Sequence, residues 1–527
     1  MNYQEARDEE QLRVLLDEKS INKFIKAATE NRQTIIFFPG GMASKLLRAK
    51  TSFDANSSKP LDFKDQEVWL SLWTFGHPEL NALKLQLHKE ADGFYHDVDD
   101  RIIIADGCIG LAGITPYDDF SAWCEANNIN LFIFGWDWRQ PLGDTVTFFL
   151  NKFLPRLNER LANAIGPLKN FTLVGHSFGG MIVKLILLRG GPLLDGMNRA
   201  ITVASPFYGT GGQVHRWFEG EPLLNHLGED KIDIIKTIGS LPASYTLNWL
   251  EEAIFNANRE HLVGDDPFKV KDYPSKDDAD PYNLPQPSPD GRVRYSTGLL
   301  GFSLNELENG RAVCQELVKK LPDELAKKYF NIRGVQGGNG PEPLKQTICG
   351  TTWELIKPDF DPRQDTSPIK SELGAGDQVL AAWSTHDAAC PRDNRITVQG
   401  ILHHSFILSS DEVQQKLGEL MGLPASSIKK RNSVPQIQIE SLDEKLGTDA
   451  QRFVQGLNDF FQDPKNHIKD VTETIEDGAH EFVDGVVRAV QPGKLVNNVL
   501  GVVAAARGFS VDQRPRIIRR IIMSLCR

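Results

Sequence analysis

FTLVGHSFGGMIVKLILL, residues 171–188, decides the fold. FTLVG is an apolar run of strand length and MIVKLILL reads as helix; between them stands Gly175-His176-Ser177-Phe178-Gly179, a G-x-S-x-G. A turn this sharp leaves room only for small neighbours of Ser177, and Gly175, Gly179 and Gly180 are small. Its apex lifts the serine hydroxyl clear of the backbone. The first N–H groups of the following helix then face the place where negative charge would develop. Strand, turn and helix in this order are the setting of a nucleophile elbow.

Outward from the elbow, further short apolar runs alternate with helical stretches: TIIFF (34–38), LFIFG (131–135), AITVA (200–204) and FNIRGV (330–335). Runs this apolar suit strands covered on both faces, as in a parallel sheet with crossover helices. The pattern predicts an α/β chain, an α/β-hydrolase with a mostly parallel central sheet. Residues 1–33 read as an N-terminal helical segment, with LRVLL and INKFIKAA as apolar stripes. The hydrolase domain is expected over 34–425. Two stretches inside it break the alternation and read as helical cap or lid insertions. One covers about 53–100 and holds the aromatic-rich EVWLSLWTFGHPELNAL; the other, about 205–328, holds the proline- and aspartate-rich VKDYPSKDDADPYNLPQPSPDG. Residues 426–442 read as a linker and 443–527 as a helical C-terminal extension, with DAQRFVQGLNDFF as an amphipathic stripe.

A serine is a poor nucleophile at neutral pH and needs a base, which in turn needs an orienting carboxylate. In this fold the chain order is serine, acid, histidine. After residue 350 the histidines are His386, His403, His404, His467 and His480. His404 opens HSFILSSDEVQQKL, a loop residue just before a helix, and is the expected base. His467 and His480 fall in the appended helical region and read as surface residues. His176 cannot easily fold back onto its neighbour Ser177 and is grouped with the substrate-facing residues. For the acid, Glu372, Asp377 and Asp387 lie in the right interval. Asp377 follows Gly374-Ala375-Gly376, a turn able to aim a short side chain inward, whereas Asp387 also reads as a helix cap or surface turn. The backbone N–H of Phe178 is one expected oxyanion donor; the other should come from the loop after TIIFF, Pro39-Gly40-Gly41-Met42-Ala43-Ser44.

Composition narrows the class. The 527 residues are 40% hydrophobic and 24% charged, an ordinary globular balance, and the formal net charge of −11 gives no nucleic-acid footprint. The six cysteines form no CxxC pair and match no zinc spacing, so reduced thiols are expected. The first twenty residues are charged throughout and lack the apolar core of a signal peptide, and no stretch reaches the roughly 18 apolar residues of a membrane span. A soluble, cytoplasmic protein is expected.

With these residues in hand, the chain resembles the lecithin:cholesterol acyltransferase family, which includes lysosomal phospholipases and many bacterial esterases. PGGMASKL (39–46) is similar to the family's P-G-x-x-[GA]-S-x-L, WDWR (136–139) to its Y-D-W-R, and GDQVLAAWS (376–384) to its G-D-G-T-V-P-x-x-S. GHSFGG is the elbow, HHSFILSSDEV resembles the histidine block, and GSLPASYTLNWL (239–250) resembles a P-S-x-x-x-L-L segment. The likeness runs over roughly residues 34–420. Gln378, Val379, Leu380 and Ala381 depart from the family's glycine, threonine, valine and proline.

The resemblance implies a triad of Ser177, Asp377 and His404 and an oxyanion hole from the N–H groups of Gly41 and Phe178, with Asp137 and Arg139 mainly structural. It implies hydrolysis of carboxylic esters, of lipids or phospholipids, through an acyl-enzyme, without metal or organic cofactor. Met42, Trp69, Trp73 and His176 are the expected substrate-binding residues, and Leu72, Phe75, Trp249 and Phe255 would extend an acyl tract. Two other functions remain open: an O-acyltransferase passing the acyl group to an alcohol, and a non-catalytic binding module on the same fold. At the chain end, Arg514, Arg516, Arg519, Arg520 and Arg527 alternate with Ile517, Ile518, Ile521 and Ile522, a pattern suited to peripheral contact with an anionic membrane surface.

Overall fold

The computed structural model describes residues 3–49, 67–69, 83–85, 95–97, 102–109, 116–220, 231–248, 303–336, 345–353, 369–401, 403–424 and 428. Leu72, Trp73, Phe75, Trp249, Phe255, the 443–527 extension with its basic tail, and all of the linker but Ile428 lie outside the described residues.

The apolar runs become strands because both faces are covered. In β1 (Thr34–Phe38) all five residues are buried. Alternate side chains enter opposite layers: Ile36 and Phe38 join one core cluster, Ile35 and Phe37 the other. Two helices precede it, α1 (Tyr3–Leu15) and α2 (Glu18–Thr29). After it come β2 (Lys45–Arg48), β3 (Glu67–Trp69) and β4 (Ile103–Asp106), a small antiparallel sheet of order β3-β2-β4.

The α/β alternation follows. α3 (Asp118–Ala126) leads to β5 (Asn130–Ile133). α4 (Leu142–Phe148) runs through a π-helical stretch, Phe149–Phe153, into α5 (Leu154–Leu161). Then come β6 (Phe171–His176), α6 (Phe178–Arg189) and β7 (Met197–Val203). The long insertion contributes α7 (Gly211–Glu219) and α8 (Lys231–Gly239). α9 (Leu304–Leu317) and the short α10 (Asp323–Ala326) return the chain to β8 (Tyr329–Gln336). An antiparallel hairpin, β9 (Lys345–Trp353) with β10 (Ile369–Ala375), precedes β11 (Arg395–Ile401) and α11 (Asp411–Leu420).

The central sheet has six strands in the order β11-β8-β7-β6-β1-β5, and every neighbouring pair is parallel. This is an α/β-hydrolase fold, with the elbow on β6. From β1 the chain goes out to the edge at β5, returns to β6 on the other side of β1, and then moves steadily towards β11. The order therefore reverses between β1 and β6, and in such sheets ligands bind in the crevice at the carboxyl ends of the strands flanking that point. The loop after β1 and the elbow after β6 both open there.

Several elements depart from the sequence reading. β3 is a strand inside the 53–100 stretch that reads as a helical insertion, and it pairs with β2, which is not among the apolar runs. β11 is not among the apolar runs because it is an edge strand with only Val398 and Ile401 buried. The β9–β10 hairpin carries too many polar residues to read as a run. Among the described residues no helix is long and apolar enough to cross a membrane.

Candidate active site

Ser177 sits at the elbow with φ 54° and ψ −125°, a conformation that costs a non-glycine residue of order 1–3 kcal/mol and persists only where the surroundings impose it. They do. The Ser177 N–H donates to the Val203 carbonyl at 2.8 Å, tying the apex to the end of β7. The glycines are forced by contact. A Cβ on Gly175 would lie 2.5 Å from the Gly179 carbonyl oxygen, one on Gly179 2.1 Å from that of Phe38, and one on Gly180 1.7 Å from Ser205 Oγ. Ser177 precedes the first turn of α6, whose leading N–H groups lack intrahelical acceptors; Phe178 supplies the first of them.

The loop after β1 approaches this turn. The Gly40 carbonyl accepts the Ala43 N–H at 3.2 Å, closing a four-residue turn with Met42 at φ 61°. Gly41 is exposed, and a Cβ there would stand 2.9 Å from the Phe178 ring, so glycine allows the loop to lie directly on the elbow helix. Trp136 fastens the loop from behind: its Nε1–H donates to the Pro39 carbonyl at 2.9 Å, its backbone N–H to Ser44 Oγ at 3.2 Å, and its ring meets Phe178 edge-on at 5.5 Å. Trp138 Nε1–H donates to the Ser44 carbonyl. The 39–46 and 136–139 blocks are thus two halves of one brace.

Asp377 and His404 meet against the ring of His176, the residue before Ser177. His404 Nδ1 is 2.7 Å from Asp377 Oδ2, and the His404 N–H donates to the Asp377 carbonyl at 2.9 Å. The other carboxylate oxygen accepts N–H groups from Leu380 at 2.7 Å and Val379 at 3.2 Å. Asp377 is 1% exposed and His404 6%. The sequence position of Asp377, 41 residues past the end of β8, hides a simple geometry. The Gln336 N–H at that strand's end donates to the Gly376 carbonyl at 2.7 Å. The hairpin is therefore an excursion that returns to where it left, and Asp377 stands at the carboxyl end of β8.

His176 connects these parts. Its Nε2 faces the His404 carbonyl at 3.1 Å, its Nδ1 faces the Tyr117 hydroxyl at 2.9 Å, and its ring lies 4.7 Å from that of His404. Burial, then the neighbouring His404, holds its pKa well below the usual imidazole range.

No family model and no curated protein matches the chain. Among solved structures it is similar to "The crystal structure of Tle4-Tli4 complex", with 11% identity over 75% of this chain and 98% of that one, at a TM-score of 0.43. A likeness this distant carries no chemistry across, and the site stands on its own geometry.

The remaining sequence candidates make other contacts. Asp387 is locked in the core: Lys184 Nζ lies 2.5 Å from its Oδ2, to which the Tyr329 hydroxyl also donates at 2.8 Å. Glu372 lies within β10, opposite Gly350. His403 caps the 3₁₀ turn that begins at His404, its Nδ1 accepting the Ser405 N–H at 3.2 Å. His386 accepts from Arg395. Trp69 is 1% exposed, packs edge-on against Trp138 and donates Nε1–H to the Met42 carbonyl; it braces the loop rather than lining an open tract. Met42 is half-buried against the same core. Arg139 is fully buried between Asp137 and Asp97, in a network that Arg7 and Tyr3 join from α1. Tyr117 and Trp136 are site residues that the sequence reading missed. Trp136 had a signal in its block; Tyr117, a lone tyrosine before α3, had none. Among the described residues no group of three or more His, Cys, Asp or Glu side chains is placed to hold a metal ion.

Proposed function

We propose that this chain is a serine hydrolase of carboxylic esters, acting on lipid-like substrates as the resemblance to the lecithin:cholesterol acyltransferase family suggests. The observation that carries the reading is the strained Ser177 elbow, whose neighbour His176 packs against the buried Asp377–His404 couple, at the carboxyl ends of parallel strands.

In this mechanism Asp377 fixes His404 with the proton on Nδ1, which leaves Nε2 as the base. When substrate arrives, His404 Nε2 takes the proton of Ser177 Oγ as the oxygen attacks the ester carbonyl. A hydrogen bond of this kind is commonly made only in the substrate complex. The N–H groups of Gly41 and Phe178 receive the oxyanion. Collapse of the tetrahedral intermediate breaks the bond to the leaving alcohol, which takes the proton from His404. Water, deprotonated by His404, then attacks the acyl-enzyme, and a second collapse frees the acid as His404 returns that proton to Ser177 Oγ.

A fluorophosphonate probe and a series of p-nitrophenyl esters of increasing chain length test this. Ser177 is expected to be the labelled residue. Ser177→Ala should fold normally, resist the probe and lose about 10⁴-fold or more of its turnover. Wild-type protein that neither reacts with the probe nor turns over any ester, or a Ser177→Ala variant that is still labelled and active, would overturn the reading.

A further inference from the structure

Tyr117 and His176 form a chain of three hydrogen bonds between the two halves of the site. The carbonyl of His404 can only accept, so His176 Nε2 carries a proton and donates to it. The ring is buried and neutral, so Nδ1 has no proton and accepts from the Tyr117 hydroxyl. That hydroxyl oxygen in turn accepts the Gly40 N–H at 2.9 Å. The chain thus runs from Gly40 N–H to Tyr117, from Tyr117 to His176, and from His176 to the backbone of His404. Tyr117 is 2% exposed and His176 3%, so each bond is made away from water.

Both ends of this chain fall on groups that the hydrolase mechanism uses. Gly40 immediately precedes Gly41, and its anchored N–H fixes the peptide from which the oxyanion loop departs. The His404 carbonyl belongs to the base. His404 is consequently held by its side chain and backbone N–H to Asp377 and by its carbonyl to His176. Packing alone would not call for this polarity: the Tyr117 ring already meets Phe37 edge-on at 4.8 Å. Buried polar groups are costly unless each finds a partner, and here they are partnered in series.

We propose that Tyr117, acting through His176, is a positioning residue that couples the oxyanion loop to the catalytic base. It sets the distance between the loop and His404 without touching substrate. The inference rests on the hydrolase reading above.

The test uses the full chain, with wild type and Ser177→Ala as controls for that reading. Tyr117→Phe removes one oxygen and keeps the ring. Its kcat on a p-nitrophenyl ester and its rate of fluorophosphonate labelling should both fall about tenfold, the effect of one lost hydrogen bond. KM should stay within about twofold; because the buried Gly40 N–H and His176 Nδ1 lose their partner, the melting temperature should fall, by no more than a few degrees. His176→Gln retains a donor towards His404 and His176→Asn an acceptor for Tyr117, so both should keep more activity than His176→Leu. If wild type is labelled at Ser177 and folded Tyr117→Phe reacts as fast as wild type, the coupling is wrong while the hydrolase reading stands. If wild type is unlabelled and inactive, the hydrolase reading fails and the coupling falls with it. Imidazole ¹⁵N shifts give a readout without turnover: His176 should be protonated at Nε2 alone, and a proton on Nδ1 would refute the relay.

Discussion

Two buried aspartates, Asp377 and Asp387, differ in what they face. Asp377 faces an imidazole that can take up a proton; Asp387 faces the Lys184 ammonium. Sequence alone weighed both, with Glu372, and favoured Asp377; nothing in the string around Asp387 reveals its partner 203 residues away on α6. Their substitutions should separate cleanly. Asp377→Asn should fold and lose roughly 10⁴ in kcat, the loss a serine protease suffers when the same substitution leaves its base in the wrong tautomer. Asp387→Asn strands a buried lysine and should cost about 3–5 kcal/mol of stability, while the folded fraction keeps its turnover per site. Urea unfolding beside active-site titration decides this; a stable, inactive Asp387→Asn would reverse the roles. Next to Asp377, Gln378 has φ 78° where the resembled family carries glycine. The departure leaves the geometry in place under strain, since the Gln378 N–H still reaches Thr347 Oγ1 at 2.9 Å. Gln378→Gly should therefore raise unfolding stability by up to about 1 kcal/mol; a loss would show that the side chain stabilises the turn.

At the scale of elements, the site depends on how closely α6 lies on β1. Gly179 permits it, because a Cβ there would overlap the Phe38 carbonyl, which is held in the sheet and cannot yield. Gly179→Ala should destabilise the fold by more than about 3 kcal/mol or prevent it from forming, as thermal unfolding would show; a variant as stable as wild type would mean that helix and strand part easily. Gly41→Ala is a useful contrast, since Gly41 is exposed and its clash is with the edge of one ring. It should lower kcat while leaving the melting temperature close to wild type. The strands that were legible in the sequence are those with two covered faces, such as β1 and β6, whose every residue is buried. β11 was not legible because an edge strand needs no continuous apolar run. The β9–β10 hairpin was hidden for the same reason, and it places Asp377 far along the chain from β8 without moving it away in space.

Across the whole molecule, charge that composition reports as a mild acidic excess is partly enclosed. Arg7 from α1, Asp97, Asp137 and Arg139 meet in one buried network, which fastens the N-terminal helix to the block behind the loop that follows β1. Long-range pairings of this kind have no local signature, so the sequence showed the elbow and the histidine block but not what braces them. The buried histidines add a property of the entire fold. Burial, then Arg333 and Arg395, pushes His386 down to about 2, and burial, then His404, lowers His176 and His403 as well. The unfolded chain protonates these rings near pH 6.5, whereas the folded chain takes up the same protons only at lower pH. Below that pH the unfolded state binds more protons, so the stability these groups contribute is full above about pH 6.5 and is lost as pH falls. Asp8 and Asp97, whose pKa values burial raises, work in the opposite direction and make the net slope shallower. A single substitution isolates one histidine from that sum. His386→Gln keeps an acceptor for Arg395 and cannot titrate. From pH 7 to pH 5 wild type should lose roughly 2 kcal/mol more unfolding free energy than His386→Gln, measured by urea titration at each pH. Equal losses in the two proteins would mean that His386 takes up its proton in the folded state.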